Sequence, residues 1–415
     1  MYRLMDFRSP EFSFQLGGRD DSAHRFTVII GANGSGKSRL LSQLAHEAIE
    51  PRGSFVEERG TSRPLILGVS NLVIDSFPKP RAWNDSYRYL GLRQANNTVS
   101  TGSLESSFGP FIVELMAVWA SDINVDIYPV LRQVGVNEYL VIVAKQRLKD
   151  PNGNVVDLES ALSRFGTKLP SQASTALHEE LKDLSGWIYD RQDLGDAREL
   201  GQRISRLSLY FDLPPAIILA ALRLAYGVRF EVQFDGRKSS VENTLSAGQA
   251  MLLSMVLRIM AAIRPGSLVL IDEPETGTHP DWQSSFIPLL KKVLPPIADS
   301  HFFIATHSPY LVSDASDVLI ASGNRQLEEI SADVRGMSLE SILYRVFETR
   351  VVGNAEVESD LSRVLSWMSS SLPGTPLPAD LLEAVGRLDS VATSRTPTVN
   401  RILDELRALS VGDRS

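Results

Sequence analysis

The sequence predicts an α/β fold with a mostly parallel sheet, N-terminal antiparallel strands, an inserted helical lobe and a helical C-terminal region. Three apolar runs predict the sheet: 26–30 ends at a glycine-rich loop, 268–271 ends in acidic residues, and 301–305 ends just before His307. Helical patterns separate these runs. Strands that alternate with helices are typical of a largely parallel sheet.

The N-terminal segments alternate between apolar and polar residues, as strands do, before the chain enters the first buried strand. That strand is fully apolar and β-branched, which is typical of a strand covered on both faces. The predicted elements of this part are strands at Tyr2–Phe7, Glu11–Leu16, Phe26–Ile30 and 63–70, and a helix at Lys37–Ala48 that stops before Pro51.

The segment from about residue 100 to 240 is predicted to be a mainly helical lobe inserted into the first domain. It reads as a helix at Phe111–Ala120, a strand at Tyr139–Ala144 and several helices through Leu177–Tyr226. We expect residues 1–330 to form one domain around this insertion. Residues 331–415 read as a helical region with apolar stripes, which are typical either of a private core or of a partner-binding surface.

The composition excludes several classes of protein. The net charge of −8 argues against a nucleic-acid binder that is basic as a whole, so a DNA contact would need a local patch such as Lys145–Lys149, which also reads as a solvated strand end. The chain has no cysteine, which excludes disulfides, thiolate metal sites and cysteine nucleophiles. No run approaches the ~18 apolar residues of a membrane span, so we expect a cytoplasmic protein without membrane contact.

The glycine-rich loop GANGSGKS, Gly31–Ser38, predicts phosphate binding. It follows a buried strand and opens a helix, which is the setting that this motif requires. Glycines let backbone N–H groups surround phosphate oxygens, and the helix N-terminus adds partial positive charge. Lys37 is expected to reach the β- and γ-phosphates, and Ser38 to offer its hydroxyl to Mg²⁺.

The run LVLIDEPE, Leu268–Glu275, places two carboxylates at the end of a buried strand. Ligand chemistry in open α/β sheets lies at that edge. Asp272 is expected in the Mg²⁺ shell, and Glu273 is expected to polarise the attacking water. On their own, these carboxylates could equally belong to a helix N-cap.

His307 follows directly on the apolar run 301–305. A lone histidine is more often a packed or solvent-facing residue than a catalytic one. Here its position after a core strand, downstream of the carboxylate strand, predicts an imidazole that donates to a γ-phosphate.

The stretch LSAGQ, Leu245–Gln249, opens a helix that is apolar on nearly every face and is therefore predicted to be buried. Its N-terminus presents free N–H groups and the hydroxyl of Ser246, which makes it a second candidate phosphate site. By its own residues it is more often an ordinary serine N-cap.

Taken in order, GANGSGKS, LSAGQ, LVLIDEPE and THS resemble the Walker A, signature, Walker B and switch-histidine motifs of ABC-type ATPases. The resemblance spans residue 1 to about 320. The Asn33 in the loop and the form DEPETGTHP look like the RecF/SMC-like soluble branch of AAA15/AAA21-type ATPases, with Thr278 where that pattern usually has leucine. The compact insertion, in place of a long coiled coil, is most similar to the ATPases of Septu- or retron-type anti-phage systems.

This resemblance implies an ABC-type ATPase head that binds ATP and Mg²⁺ and dimerises by sandwiching ATP, with higher oligomers left open. The resemblance implies catalytic roles for Lys37, Glu273 and His307. It also implies that Ser38, Asp272 and Gln94 bind the metal, with Gln94 as the Q-loop glutamine. The residues implied in ATP binding are Asn33, Gly34, Ser35, Gly36, Lys37, Ser38 and Arg39 of one chain and Ser246, Ala247, Gly248 and Gln249 of the other. His279 takes the D-loop position, where transporter ATPases carry aspartate.

These implications favour a switch ATPase that controls a separate nuclease or toxin, since no nuclease motif follows residue 330. The C-terminal helices from Leu339–Phe347 onward are expected to hold that effector. A DNA-repair ATPase that grips DNA across the head dimer is the alternative. A static ATP-bound scaffold and a transporter subunit are weaker alternatives, because Glu273 is intact and the C-terminus is helical.

Overall fold

The computed structural model describes residues 2–17, 23–31, 34–59, 63–72, 74–79, 83–95, 98–99, 103–120, 125–145, 156–235, 245–321, 326–330, 355–370, 375–392 and 397–411. The chain divides into two compact units: residues 1–307 with 316–329, and residues 308–315 with 330–415. The expected domain division between residues 330 and 331 stays a prediction.

The strands of the described residues belong to one large sheet and three small ones. In chain order they are β1 (Arg3–Arg8), β2 (Ser13–Gln15), β3 (Arg25–Ile30), β4 (Phe55–Arg59), β5 (Ile66–Ser70), β6 (Tyr87–Tyr89), β7 (Arg93–Ala95), β8 (Thr98–Val99), β9 (Tyr139–Lys145), β10 (Val228–Phe234), β11 (Leu268–Asp272), β12 (His301–Ala305), β13 (Asp317–Ala321) and β14 (Leu327–Glu329).

The helices divide among the core, the insertion and the second unit. They are α1 (Lys37–Ile49), α2 (Ser103–Val118), α3 (Tyr128–Gln133), α4 (Leu158–Ser163), α5 (Ser171–Arg191), α6 (Arg198–Phe211), α7 (Pro215–Tyr226), α8 (Ala247–Ala262), α9 (Pro280–Val293), α10 (Ala355–Ser370), α11 (Ala379–Val391) and α12 (Pro397–Val411). Short 3₁₀ turns lie at Pro296–Ala298 and Pro309–Leu311.

The large sheet has the order β14-β13-β3-β12-β11-β5-β6 within the described residues, and every neighbouring pair is parallel except β13 with β14. The register pairs Asp272 with Ala305 and Ala305 with Ile29. The carboxyl ends of β3, β12 and β11 therefore meet at one edge, with β12 in the middle. The predicted α/β class with a mostly parallel sheet is confirmed.

The N-terminal strands form a second, antiparallel sheet in the order β2-β1-β4, as the alternating pattern predicts. Its apolar residues share a core with α1 and with inward side chains of the large sheet. Strand β2 covers only part of the expected Glu11–Leu16. Ring stacking of Phe14 with Phe7 and its contact with Phe303 join the two sheets.

The inserted segment is mostly helical, as expected, but it also contains the antiparallel pair β9 and β10. The sequence analysis missed β10, although its residues VRFEVQF alternate between buried and half-buried positions. Helix α2 begins at Ser103 rather than at Phe111, because the helix continues through Pro110. Interior prolines are rare in helices, so tertiary packing outweighs the local penalty here.

In the second unit, α10, α11 and α12 share a small apolar core that includes Val364, Leu388 and Leu403. The predicted stripes on α10 and α12 thus pack mainly on each other and on α11. Within the described ranges no single helix has both the length and the apolar content of a membrane span, although the pair α6 and α7, bent by 105°, passes the same test jointly.

Candidate functional site

The glycine-rich loop lies between β3 and α1, as predicted, at the carboxyl edge of the large sheet. Gly36 is the N-cap of α1 and adopts a left-handed conformation with φ of 95°. A Cβ at Gly36 would lie 2.7 Å from the ring of Phe12, so only glycine fits. No side chain among the described residues caps α1. Its first N–H groups are therefore directed toward whatever the loop binds.

The side chain of Lys37 turns back over this loop. Its Nζ donates to the carbonyl oxygen of Gly31 at 2.9 Å and lies 2.9 Å from Nε2 of His307. Lys37 is buried, and this burial lowers the pKa of its ammonium, against the opposing pull of the nearby carboxylates, chiefly that of Glu273. A desolvated cation at this place attracts an anionic ligand strongly.

Ser38 and Asp272 meet directly, although 234 positions of sequence separate them. The Ser38 hydroxyl donates to Oδ1 of Asp272 at 2.8 Å. Asp272 is 1% exposed, and burial raises the pKa of its carboxyl from 3.8 to about 6, while the bond from Ser38 acts in the opposite direction. A buried carboxylate that is destabilised in this way is stabilised by a cation.

Glu273 follows Asp272 with a positive φ of 47°, which turns the chain sharply at the end of β11. Its N–H donates to the carbonyl oxygen of Ala305, and its Oε1 lies 3.8 Å from Nε2 of His307. Positive φ is uncommon outside glycine and is frequent at functional sites. The turn places Glu273 and His307 on the same side of the sheet edge.

Glu275 is a residue of this site whose role the sequence analysis missed. Its Oε1 accepts from the backbone N–H of His307 at 2.6 Å and holds the histidine loop next to the carboxylate loop. Its other oxygen, Oε2, is buried without a hydrogen-bond partner among the described residues. Glu275 lies in the DEPE stretch, but nothing in that pattern shows which N–H it accepts from.

The LSAGQ stretch forms the N-terminus of α8, and Ser246 is its N-cap. The N–H of Gln249 donates to the Ser246 hydroxyl at 3.3 Å, and the N–H of Ser246 donates to Oε1 of Gln249 at 2.6 Å. This reciprocal pair is a capping box. The N-cap interpretation is thus correct, and the two polar side chains of the stretch are already hydrogen-bonded to each other's backbone.

Two contacts fix this helix start against other parts of the unit. Nε2 of Gln249 donates to the carbonyl oxygen of Val134, which follows α3 in the inserted lobe, at 3.0 Å. A Cβ at Gly248 would lie 2.5 Å from the carbonyl oxygen of Gly277 and 3.0 Å from the ring of Trp282. The turn at Gly277 and the LSAGQ stretch are therefore in close contact within one chain, and only glycine allows this approach.

His279, at the D-loop position, caps α9: its Nδ1 accepts from the N–H of Asp281 at 3.3 Å. The side chain of Arg39 pairs with Glu11 at 2.5 Å. The expected roles of Arg39 and His279 toward ATP stay predictions.

Gln94 is not brought to the large sheet. Among the described residues it lies in β7, which pairs with β8 rather than with the large sheet, and its side chain lies outside them. Asn33 and Leu339–Phe347 also lie outside them. Strand β5 lies beside β11 in the large sheet, and the residue that follows it is Asn71. The Oδ1 of Asn71 accepts a hydrogen bond from the buried Arg258 at 2.5 Å.

The residues at the sheet edge fit Mg²⁺ and a nucleotide phosphate. A hydroxyl and a carboxylate in contact are ligands that Mg²⁺ prefers. The Ser35 hydroxyl is buried without a hydrogen-bond partner in the described residues, which suits a donor to a phosphate oxygen. Within these residues no cluster of three His, Asp or Glu side chains could hold a metal ion.

Comparisons with known proteins give three findings. The model of a family described as "AAA_21: AAA domain, putative AbiEii toxin, Type IV TA system" matches residues 151–313, which include Ser246, Asp272 and His307. Septu protein PtuA of Bacillus thuringiensis is 37% identical over 95 residues, 20% of this chain and 23% of that protein. Protein ea59 of Escherichia phage lambda is 36% identical over 304 residues, 69% of this chain and 46% of that protein.

The chain thus spans less than half the length of these curated relatives. A solved structure of a nucleotide-free ATP-binding cassette from an ABC transporter aligns with 79% of this chain and 89% of its own, at 14% identity and a TM-score of 0.29, which is too loose a superposition to support the assignment. The family match and the motif geometry agree with each other. Residues 151–313 match the AAA_21 family model, and the chain fits an ABC-like P-loop ATPase.

Proposed function

We propose that the chain hydrolyses ATP with Mg²⁺ and that ATP closes two copies head to head, as a switch that controls a separate nuclease or toxin in an anti-phage defence complex. The observation that carries the ATPase part is the 2.8 Å bond between Ser38 and Asp272 at the edge where Lys37 and His307 also meet. A hydroxyl, a carboxylate and a desolvated lysine together suit a metal-bound triphosphate.

Each residue then has a distinct role. Lys37 neutralises phosphate charge, and Ser38 and Asp272 hold the metal, which supplies charge stabilisation at the phosphate oxygens. Glu273 takes a proton from water at its carboxylate, as a general base. His307 Nε2 lies 2.9 Å from Lys37 Nζ, close enough to accept a hydrogen bond from the ammonium, and 3.8 Å from Glu273 Oε1, so the imidazole is next to both the phosphate ligand and the general base.

The dimer part of the proposal rests on the N-terminus of α8. Ser246 and Ala247 are exposed to solvent, and a helix N-terminus favours a negative group. We assign the Ser246 hydroxyl and the N–H groups of Ala247 and Gly248 to the γ-phosphate held by a second copy. The side-chain amide of Gln249 is already bonded at both ends, and its backbone N–H donates to Ser246, so Gln249 acts by holding this helix start in place.

The defence part is supported by the similarity to a Septu protein and by a family description that names a toxin. We assign effector binding to residues 331–415. Leu365 and Leu382 on α10 and α11 are 46% and 54% exposed, which leaves apolar surface in that unit for a partner.

The ATPase part is tested by measuring turnover of the purified protein beside the variant Glu273→Gln. Loss of a general base lowers turnover by roughly 10²–10⁴-fold. The matched control is Glu199→Gln, since Glu199 is an exposed residue of α6 whose partner is Arg203. Equal turnover of the wild type and Glu273→Gln would remove hydrolysis from the proposal.

The defence part is tested by phage plating on cells that carry the chain with its neighbouring genes. We expect plating to fall with the wild type, and Lys37→Ala to restore it because the variant has lost its phosphate ligand. Lys182→Ala, an exposed position of α5, should plate like the wild type. Equal plating with and without an intact Lys37 contradicts a defence role for ATP binding.

A further inference from the structure

The inserted lobe contains a cavity of about 440 Å³ that is unrelated to the phosphate loop. Helices α2 and α7 and strand β10 form its walls. Much of the wall is apolar, with Phe111, Leu219 and Phe230 among the lining residues. Sites for small molecules are typically of this size, apolar, and equipped with a few polar groups.

Two arginines, Arg223 and Arg229, also line this cavity. Nε of Arg229 forms an ion pair with Oε1 of Glu231 at 3.4 Å, but it is buried without a hydrogen-bond partner among the described residues. No hydrogen bond or ion pair joins Arg223 to another group in the described residues. The guanidinium donors of Arg223 are therefore available to a ligand in the cavity.

Glu114, the acidic residue that lines the cavity, has a different arginine as its partner. Glu114 already pairs with Arg88 at 2.7 Å, and both side chains are largely buried. Burial lowers the pKa of Arg223, and the charge of Arg164 lowers it further, since a like charge disfavours the guanidinium. An anion in the cavity would relieve both effects.

We propose that this cavity binds a small organic anion with an apolar body. The apolar wall holds the body, and the guanidinium groups of Arg223 and Arg229 hold a carboxylate, sulfonate or phosphate group. Arginine suits this role because its planar fork donates two parallel hydrogen bonds to such groups.

The probe for the test is anilinonaphthalene sulfonate, which joins an apolar ring system to one anionic group. We expect saturable binding of one probe per chain, measured by fluorescence titration. Arg223→Gln and Arg229→Gln should each weaken it about tenfold or more, the effect of losing a charge-assisted hydrogen bond. The matched control Arg206→Gln removes an exposed arginine of α6, whose Nε donates to Gln202, and should leave binding unchanged.

Two further measurements test the proposal independently of the arginine variants. Ala220→Phe fills the cavity from α7 and should abolish binding, and Ala216→Leu does so with a smaller side chain in case the larger one prevents folding. The uncharged phenylnaphthylamine should bind at least tenfold more weakly than the sulfonate if the arginines hold the anion. Equal affinity of the two probes, or unchanged binding in both arginine variants, overturns the proposal.

Discussion

The helices α1 and α8 both begin at glycine-containing turns, but their N-termini are built in opposite ways. Helix α1 starts at Gly36 in a left-handed conformation, and no side chain in the described residues caps it. Helix α8 starts at Ser246, whose capping box with Gln249 satisfies two backbone N–H groups within the chain. The N-terminus of α1 has no side-chain cap to compete with a ligand, whereas the capping box of α8 leaves only the N–H groups of Ala247 and Gly248 for one.

The residues around the two N-termini differ as well. Next to α1 lie the desolvated Lys37 and the buried Asp272, two charges that a metal-bound phosphate would compensate. The N-terminus of α8 is instead exposed at Ser246 and is fixed by close packing of Gly248 on Gly277. The proposed ATP sandwich requires this difference. The N-terminus of α1 binds ATP within one chain, and the rigid N-terminus of α8 adds contacts to the ATP that a second copy already holds.

The largest effect is expected from two substitutions at Ser246 that both keep the cap. Aspartate, asparagine and serine are comparable N-caps, so Ser246→Asp and Ser246→Asn should leave the stability of α8 nearly unchanged. Aspartate places a negative charge where the proposal puts the γ-phosphate of a second copy. We expect Ser246→Asp to lower turnover by roughly a hundredfold or more, the scale of losing one transition-state donor.

The measurements are ATP turnover, ATP affinity of the single chain and thermal unfolding of both variants. ATP affinity should stay at the wild-type value in Ser246→Asp, since the N-terminus of α1 is untouched. Turnover of Ser246→Asn should exceed that of Ser246→Asp by at least tenfold, because only the charge differs. Identical turnover of the two variants would show that no phosphate approaches α8.

An intermediate effect is expected from pH, through Asp272 on the α1 side. Burial raises the pKa of this carboxyl from 3.8 to about 6, so the folded protein holds a proton that the unfolded chain releases between these values. Asp272 therefore destabilises the metal-free fold as pH rises from 3.8 to 6, and the full cost is present above 6. Asp272→Asn should raise the free energy of unfolding at neutral pH by on the order of 2–3 kcal/mol.

The same carboxyl must be ionised to bind Mg²⁺. Apparent Mg²⁺ affinity in the presence of ATP should therefore fall about tenfold for each pH unit below 6. Titration of Mg²⁺ at several pH values measures this slope, with Asp272→Asn as the reference that has lost it. A flat profile between pH 5 and 7 is inconsistent with Asp272 as a ligand.

The smallest effect is expected at Gln249, which anchors α8 to the inserted lobe. Gln249→Ala removes the bonds to the N–H of Ser246 and to the carbonyl oxygen of Val134. We expect the free energy of unfolding to fall by about 1–2 kcal/mol, measured by urea denaturation. Gln249→Glu keeps the acceptor for Ser246 but loses the donor to Val134, which separates the two bonds. An unchanged midpoint in Gln249→Ala would mean that the capping box contributes nothing in solution.

The core of the fold could be predicted because its signals are local. The strands β3, β11 and β12 are short apolar runs that end at glycine, acid or histidine, and parallel pairing brings those ends together. Ser246 as an N-cap is likewise visible in four consecutive residues.

The contacts that join the site could not be read from the chain, because they link distant positions. The bond from the His307 N–H to Glu275, the approach of Gly248 to Gly277 and the bond from Gln249 to Val134 all depend on how loops meet after folding. No local pattern encodes such pairs. Strand β10 was missed for a different reason: its alternation is plain, but it lies in a segment dominated by helical patterns.

The most direct test of the proposed sandwich is the mass of Glu273→Gln in solution, measured by light scattering with ATP and Mg²⁺. With hydrolysis blocked, the chain should shift from the mass of its ATP-free state to that of a complex with one additional copy. The added Ser246→Asp substitution should abolish this shift while ATP still binds. A mass that is the same with and without ATP, at saturating nucleotide, would contradict the proposed dimer.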